Sequence, residues 1–157
     1  MLRKIISGGQ TGADRAGLDF AIDHSIPHGG WIPKGRRTEQ GPLDSKYQLE
    51  ETNNTFYPDR TKRNIMDSDG TLIVAYGPVK KKGGTALTYR LCGQVKKPCC
   101  YINLNMLTIP EAAQDVASWI RSNSIRVLNV AGPKESIEPN IHVDTYNLLK
   151  SVLVALY

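Results

Sequence analysis

Residues 7–15, Ser7-Gly8-Gly9-Gln10-Thr11-Gly12-Ala13-Asp14-Arg15, decide the fold. They follow the apolar pair Ile5-Ile6 and lead into a pattern in which small or apolar residues recur at helical spacing up to Ala21. A strand, a glycine-rich turn and a helix in this order predict an anion site, because glycines let backbone N–H groups approach a ligand at the positive end of the helix dipole. A tight turn without a ligand is the alternative.

The spacing of these glycines matches neither of two common nucleotide motifs. A dinucleotide site needs G-x-G-x-x-G, and a Walker loop needs a Lys after its last glycine, where this chain has Ala13. Asp14 is the one carboxylate placed to act on a bound ligand, although a first-turn acid also stabilises its own helix. Gly17 should let the helix pack closely against the sheet. The predicted binding residues of this first loop are Gly8, Gly9, Gln10, Thr11, Gly12 and Asp14.

The composition predicts a single domain, 1–157, that binds a small anion. The chain is 40% hydrophobic and 22% charged, which is ordinary for a globular protein, and its formal net charge of +5 favours an acidic partner. A basic stripe with interleaved aromatic residues is missing, and so is a long Lys/Arg block. We therefore expect a phosphorylated small molecule as the partner and regard nucleic acid as an unfavourable one.

The cysteines and histidines predict no metal site. Cys92, Cys99 and Cys100 are odd in number and lack metal or redox spacing, and the three histidines are scattered. Cys99 and Cys100 lie in a predicted buried strand, where core packing is the expected role. Because the sequence has no signal peptide and no long apolar run, we expect a reduced, cytoplasmic protein without membrane association.

Strands and helices alternate along the chain. The predicted strands span 2–7, 28–32, 71–76, 98–102 and 127–131. The predicted helices are 12–24, 60–65 with Asp59 as cap, one from Thr85 through Leu91, one that starts with the capping box Thr108-Ile109-Pro110-Glu111, and a last one with Val143, Tyr146, Leu149, Leu153 and Leu156 in the core. This alternation predicts an α/β fold with a mostly parallel sheet of five or more strands and helices on both faces.

Four of the predicted strands end in loops that carry glycine with polar or basic residues. Ligands of parallel sheets bind beyond the carboxyl ends of the strands, so these loops should open on one edge. The loop after the second strand supplies Lys34 and Arg36, and Arg36 or Arg37 could hold a phosphate as a planar fork. A solvated basic loop is the alternative. The loop after the fifth strand supplies Gly132.

The loop after the third strand contains a second glycine motif, Gly83-Gly84-Thr85, next to three lysines at 80–82. It has the same arrangement as the first loop: flexible residues are followed by a hydroxyl group that can cap a helix. If the first and third strands are neighbours, two helix N-termini converge and can hold a phosphate through backbone N–H groups. The alternative is a helix start with Thr85 as its cap, which gives the lysines no role.

Two further segments point to the same edge. Residues 33–58 have weak periodicity, and a connection of this length is typical of a lid or a binding loop. Beyond it, Arg60, Arg63 and Asn64 share one face of a helix, directed either toward the cleft or toward solvent.

Six stretches carry a resemblance to a known family. They are 7–14, 31–36, Arg60-Thr61 with Asn64, 68–73, 83–85 with Thr88, and 129–133 with Glu135-Ser136. Together they resemble the molybdenum carrier proteins, which are related to the molybdenum-cofactor carrier of green algae. The resemblance implies a Rossmann-like three-layer domain, a homo-oligomer, and a carrier rather than an enzyme. The implied cargo is molybdenum cofactor, a pterin with a phosphate and a metal held by its own dithiolene sulfurs.

The resemblance also leaves two other functions open. Related phosphoribohydrolases use a Gly-Gly-x-Gly-Thr-x-x-Glu segment, but the corresponding stretch 83–89 lacks one glycine and the glutamate. A hydrolase of the N-glycosidic bond would then need Asp14 or Glu39 as its acid or base. A nucleotide-sensing module is the third hypothesis.

Overall fold

The computed structural model describes residues 2–157, which form five helices and nine short strands. In chain order these are β1 (Lys4–Ile6), α1 (Ala13–Asp23), β2 (His28–Gly29), β3 (Trp31–Ile32), β4 (Arg37–Thr38), β5 (Gly41–Pro42), β6 (Glu50–Glu51), α2 (Tyr57–Asp67), β7 (Gly70–Ala75), α3 (Gly84–Gln94), β8 (Cys99–Asn103), α4 (Ile109–Ser122), β9 (Val127–Ala131) and α5 (Ile141–Leu156).

A parallel sheet of five strands forms the middle layer. Its order is β2-β1-β9-β7-β8. Helices α1, α4 and α5 pack together on one face, and α2 and α3 pack together on the other, as right-handed crossovers require. This arrangement confirms the predicted α/β, Rossmann-like three-layer fold. The first and third main strands, β1 and β7, are separated by β9, so three strand ends meet in the middle of one edge.

The core lies between the sheet and α1, α4 and α5. All six residues of β7 are buried, which agrees with the apolar run in its sequence. A Cβ added to Gly17 would lie 2.8 Å from the Cβ of Val130, so the missing side chain allows α1 to contact β9 closely, as predicted.

The predicted second strand, 28–32, is divided in the structure. Its first part, β2, belongs to the main sheet, whereas β3 pairs with β6, with Trp31 opposite Glu50. The division occurs at Gly30, which has a φ of +127°. A Cβ at Gly30 would lie 2.1 Å from the Ser7 carbonyl oxygen, so only glycine permits the chain to leave the sheet here.

Two predicted helix caps, Asp59 and Thr85, are wrong, and the one at Thr108 is confirmed. Helix α2 begins at Tyr57 rather than after Asp59, because Pro58 fits the first turn of a helix. Helix α3 has Gly83 at its N-cap, and Thr85 makes no capping hydrogen bond. At the start of α4, the Thr108 side chain accepts a hydrogen bond from the Glu111 N–H, which confirms the capping box.

The buried face of α5 differs in part from the prediction. Val143 is 55% exposed, whereas Ile141, Leu148 and Val152 are buried. Helix α5 packs against both α1 and α4, so its buried face is set by two partners. Leu149 is buried as predicted.

The prediction that Cys99 and Cys100 lie in a buried strand also needs correction. Both cysteines are half-buried, because β8 lies at the edge of the sheet. None of the helices within residues 2–157 combines the length and the apolar character needed to cross a membrane.

The segment 33–58 is more ordered than its weak periodicity indicates. It contains the hairpin of β4 and β5, and strand β6, which pairs with β3. A small apolar cluster fixes it against α1. The residues of this cluster are Leu18, Ile32, Leu43, Tyr47 and Leu49.

Candidate functional site

A cavity of about 570 Å³ opens beyond the carboxyl ends of β1, β7 and β9. Gly8 and Gly84 both line it, so the two glycine loops meet at one site as the sequence indicated. Of the twelve predicted binding residues, those that line the cavity are Gly8, Gln10, Asp14, Gly83, Gly84, Thr85 and Gly132. The remaining five, Gly9, Thr11, Gly12, Lys34 and Arg36, lie outside its lining.

The N-terminus of α3 is open to this cavity. Its N-cap residue, Gly83, has a φ of +103°, and no side chain caps the helix. A Cβ added to Gly83 or Gly84 would meet no atom within 4 Å. Because the first N–H groups of a helix have no intrahelical acceptor, this end of α3 offers donors and a positive dipole to a ligand.

Lysine side chains surround the same end of α3. Lys80, Lys82 and Lys134 line the cavity. Two of them are paired with acids: Lys80 Nζ lies 3.4 Å from Glu138 Oε1, and Lys134 Nζ lies 3.7 Å from Glu39 Oε2. Glu138 is buried and also accepts a hydrogen bond from the Tyr76 N–H. The cavity therefore has one strongly basic region, formed by backbone donors and ammonium groups.

The N-terminus of α1 is closed by protein, which corrects the expectation that two helix N-termini hold one phosphate. The Ala13 N–H donates to the Pro133 carbonyl oxygen, and a Cβ at Gly12 would lie 2.3 Å from that oxygen. The Thr11 N–H donates to Gln10 Oε1, and the Gln10 N–H donates to Asp14 Oδ2. These donors are used inside the protein.

Gly9 has a packing role. Its φ is +73°, and an added Cβ would lie 2.9 Å from Leu43 and 3.0 Å from Leu49. The first glycine loop is therefore covered by the segment 33–58 on one side and by residues 133–135 on the other.

The basic residues of the second strand-end loop do not reach the cavity. Lys34 is exposed, and Arg36 is held by its own segment. The reason is local hydrogen bonding, since the Arg36 guanidinium supplies donors that the carbonyl groups of the turn require. Its four acceptors are the backbone oxygens of Leu43, Asp44, Tyr47 and Leu49.

Asp14 and Arg60 form an ion pair in the cavity wall. Arg60 Nη1 lies 2.9 Å from Asp14 Oδ2, and their side chains are 12% and 8% exposed. Burial raises the pKa of Asp14, and the Arg60 charge and the Gln10 N–H offset this effect only in part. A Cβ at Gly8 would lie 1.5 Å from Arg60 Nη1, so a side chain at this position would displace the Arg60 guanidinium from its present place.

The face of α2 that carries Arg60, Arg63 and Asn64 is directed into the cavity only in part. Arg60 and Asn64 line the cavity, whereas Arg63 stacks on the Trp31 ring at 4.5 Å outside it. Asn64 is occupied by the Trp31 backbone, from which it accepts one hydrogen bond and to which it donates another.

A model of the circularly permutated YpsA SLOG family matches residues 5–153. The chain belongs to this family. A crystal structure of a protein from Syntrophus aciditrophicus SB, named "putative molybdenum carrier protein", is 51% identical and superposes with a TM-score of 0.94. The match covers 97% of this chain and 95% of that one, and it confirms the family resemblance seen in the sequence. A search of the curated proteins gave no match.

The predicted binding residues leave out several polar residues of this SLOG cavity, of which Asn129 and Glu138 are two. Asn129 is buried in β9 and donates to Thr71 Oγ1, and Glu138 lies behind Lys80. A polar residue in the centre of an otherwise apolar strand was the available signal for Asn129. Glu138 had no such signal, because it lies in an irregular segment.

Glu39 contacts the first glycine loop and does not line the cavity. Its carboxylate accepts hydrogen bonds from the Thr11 and Ser136 hydroxyls, and Lys134 Nζ lies 3.7 Å away. Burial acts to raise the pKa of Glu39, but the hydrogen bonds from Ser136 and Thr11 outweigh it, so the pKa lies below its ordinary value. Within the described part of the chain, no three His, Cys, Asp or Glu side chains are close enough to hold a metal ion.

Proposed function

We propose that this SLOG protein binds and carries a phosphorylated anionic small molecule, with molybdenum cofactor as the leading cargo. The observation that supports this best is the uncapped N-terminus of α3, open to a cavity lined by three lysines. Phosphate groups of ligands bind at helix N-termini in α/β proteins, where backbone N–H groups and the helix dipole favour negative charge.

The residues of the cavity suit this cargo. Its volume of about 570 Å³ falls within the range typical of small-molecule sites. The phosphate would lie at Gly83 and Gly84 beside Lys82, and the buried Nε of Arg60 is left for another part of the ligand. The metal of molybdenum cofactor is bound by the cofactor's own sulfurs, so the protein needs to supply no metal ligands. The relative from Syntrophus, with its name, adds support for a carrier.

Thermal denaturation with and without ribose 5-phosphate tests the phosphate site. We expect the ligand to raise the Tm in proportion to the logarithm of its concentration, because it binds the native state alone. Lys82→Ala should reduce this shift, whereas Lys150→Ala, the same charge change on an exposed position of α5, should not. The absence of any shift at millimolar ligand would refute the phosphate site.

Mass spectrometry of small molecules released from anaerobically purified protein tests the cargo. The expected product is a pterin phosphate, accompanied by molybdenum in elemental analysis. Release of a different phosphorylated molecule would retain the binding function and replace the cargo.

Hydrolysis of an N-glycosidic bond is the second candidate, and one observation favours it. Asp14 faces the cavity with a raised pKa, which suits a general acid. Glu39, the other candidate from sequence, is held outside the cavity lining. Chromatography of free base released from nucleoside monophosphates, with Asp14→Asn as the inactive variant, decides between an enzyme and a carrier.

The homo-oligomer and the cytoplasmic location stay predictions. Size-exclusion chromatography with light scattering tests the first, and fractionation of cells tests the second.

A further inference from the structure

The ion pair of Asp14 and Arg60 leaves hydrogen-bonding groups unused in the cavity wall. Arg60 donates through Nη1 to Asp14. Its Nε is buried and has no hydrogen-bond partner among residues 2–157, and its Nη2 donates to no group in that part of the chain either. In a guanidinium, Nε–H and Nη2–H point in parallel, so Arg60 retains a planar fork of two donors.

Asp14 retains an acceptor next to this fork. Its Oδ2 accepts from Arg60 and from the Gln10 N–H, whereas Oδ1 accepts from no described residue. Asp14 is 6% exposed, and it lines the cavity. Because no residue of the described chain donates to Oδ1, this oxygen is free to accept a hydrogen bond from a ligand or a water in the cavity.

The charges of the cavity are unevenly distributed. Next to the N-terminus of α3, Lys82 adds a positive charge that forms no ion pair within residues 2–157, whereas the Asp14–Arg60 pair carries no net charge. An anionic group is therefore favoured at the α3 end, and a second anion at the pair would meet the Asp14 carboxylate. The part of the ligand at the pair should be neutral and should offer both an acceptor and a donor.

We propose that the Asp14–Arg60 pair recognises a lactam edge, a ring carbonyl beside a ring N–H, on a heterocycle whose phosphate lies at the N-terminus of α3. This inference rests on the proposed phosphate site. The carbonyl oxygen accepts from the Arg60 fork, and the ring N–H donates to Asp14 Oδ1. Guanine, hypoxanthine and pterin have this edge; adenine has an amino group and a bare ring nitrogen instead, which reverses both partners.

Isothermal titration calorimetry with IMP, GMP, AMP and ribose 5-phosphate tests the inference. We expect IMP and GMP to bind about tenfold more tightly than AMP and ribose 5-phosphate, because a good bidentate match discriminates by about this factor. Equal affinities for IMP and AMP would overturn the lactam assignment. Tighter binding of GMP alone would also overturn it, because the amino group of GMP would then be the group recognised.

Three variants separate this inference from the phosphate site. Arg60→Lys keeps the charge opposite Asp14 but removes the fork, so IMP should bind no better than ribose 5-phosphate, whose own affinity should change by less than about twofold. Asp14→Asn should reduce IMP affinity in the same selective way. Lys82→Ala is the matched control and should weaken all four ligands by one common factor. If Arg60→Lys weakens ribose 5-phosphate as much as IMP, Arg60 holds the phosphate and the lactam assignment fails; if no probe binds the unchanged protein, the phosphate site fails with it.

Discussion

The two glycine loops, residues 8–12 and residues 80–85, share a strand before them and a helix after them, yet they have opposite surroundings. All of residues 8–12 are buried, whereas Gly83 and Gly84 are exposed. A Cβ at Gly12 would collide with a backbone oxygen, whereas a Cβ at Gly84 would meet nothing within 4 Å. The first loop therefore uses glycine so that other segments can pack against it, and the second leaves space for a ligand.

The charged groups around the loops differ in the same way. The first loop is flanked by the carboxylates of Asp14 and Glu39, whose oxygens accept hydrogen bonds from protein groups. The second is flanked by lysines at the cavity. Changes in the first loop should affect stability, and changes at the second should affect binding.

The largest effect is expected for Gly12→Ala. The φ of +80° and the 2.3 Å approach to the Pro133 oxygen together should cost about 3 kcal/mol or more of unfolding free energy. The matched change Gly84→Ala should stay within about 1 kcal/mol, because the site is open and alanine favours a helix. Urea denaturation followed by circular dichroism measures both. Equal losses for the two variants would remove the distinction between the loops.

Glu39→Gln should give a smaller, pH-dependent loss. At neutral pH the variant should be less stable by about 1 kcal/mol, because the substitution replaces the charge-assisted hydrogen bonds from Thr11 and Ser136 with weaker neutral ones. The loss stays small because the position is accessible to solvent. Because the folded pKa lies below the ordinary 4.5, this stabilisation is present above pH 4.5 and disappears as the pH falls through the folded pKa. Denaturation at several pH values should show the two proteins converging in acid. A constant difference would contradict this role for Glu39.

Asp14→Asn should show the opposite pH dependence. The pKa of Asp14 is raised by burial, so its contribution to stability is fully present below the ordinary value of 3.8 and is lost as the pH rises through the folded pKa. Relative to the variant, the unchanged protein should therefore gain stability as the pH falls. The measurement is the same denaturation series, and a gain with rising pH would mean that the Arg60 charge dominates burial.

Lys82→Ala should have the smallest effect on the fold and a moderate one on binding. We expect ribose 5-phosphate affinity to fall by about three- to fivefold, and the difference to shrink at high salt, because an exposed ammonium acts through screened charge. Unfolding free energy should not change. A loss of stability without a loss of affinity would place Lys82 in the fold and not at the site.

Much of the architecture followed from local patterns. The apolar run of β7 predicted a buried strand, and the Thr108 box predicted the start of α4, because both depend on neighbours in sequence. The division at Gly30 and the exposure of Val143 could not be predicted, since they depend on the Ser7 carbonyl and on two helices packed against α5.

The residues of the candidate site show the same difference between features set by neighbours in sequence and features set by tertiary contacts. Gly83 and Gly84 line the cavity, and the glycines, the helix after them and the adjacent lysines were sufficient to predict them as candidates for an anion site. Arginine is a common phosphate ligand, but the guanidinium of Arg36 donates its hydrogen bonds to backbone carbonyl groups of its own segment. Arg60 faces the cavity through its pairing with Asp14, a contact between α2 and α1 that helical spacing left undecided.

The sequence alone determined the alternation of strands and helices, the two glycine turns and the excess of positive charge, since each depends on residues adjacent in the chain. Tertiary structure alone decided which helix N-terminus stays open. A backbone N–H is available to a ligand only if no other acceptor reaches it, and at α1 the acceptor is the Pro133 oxygen, which the fold of the last third of the chain brings to Ala13.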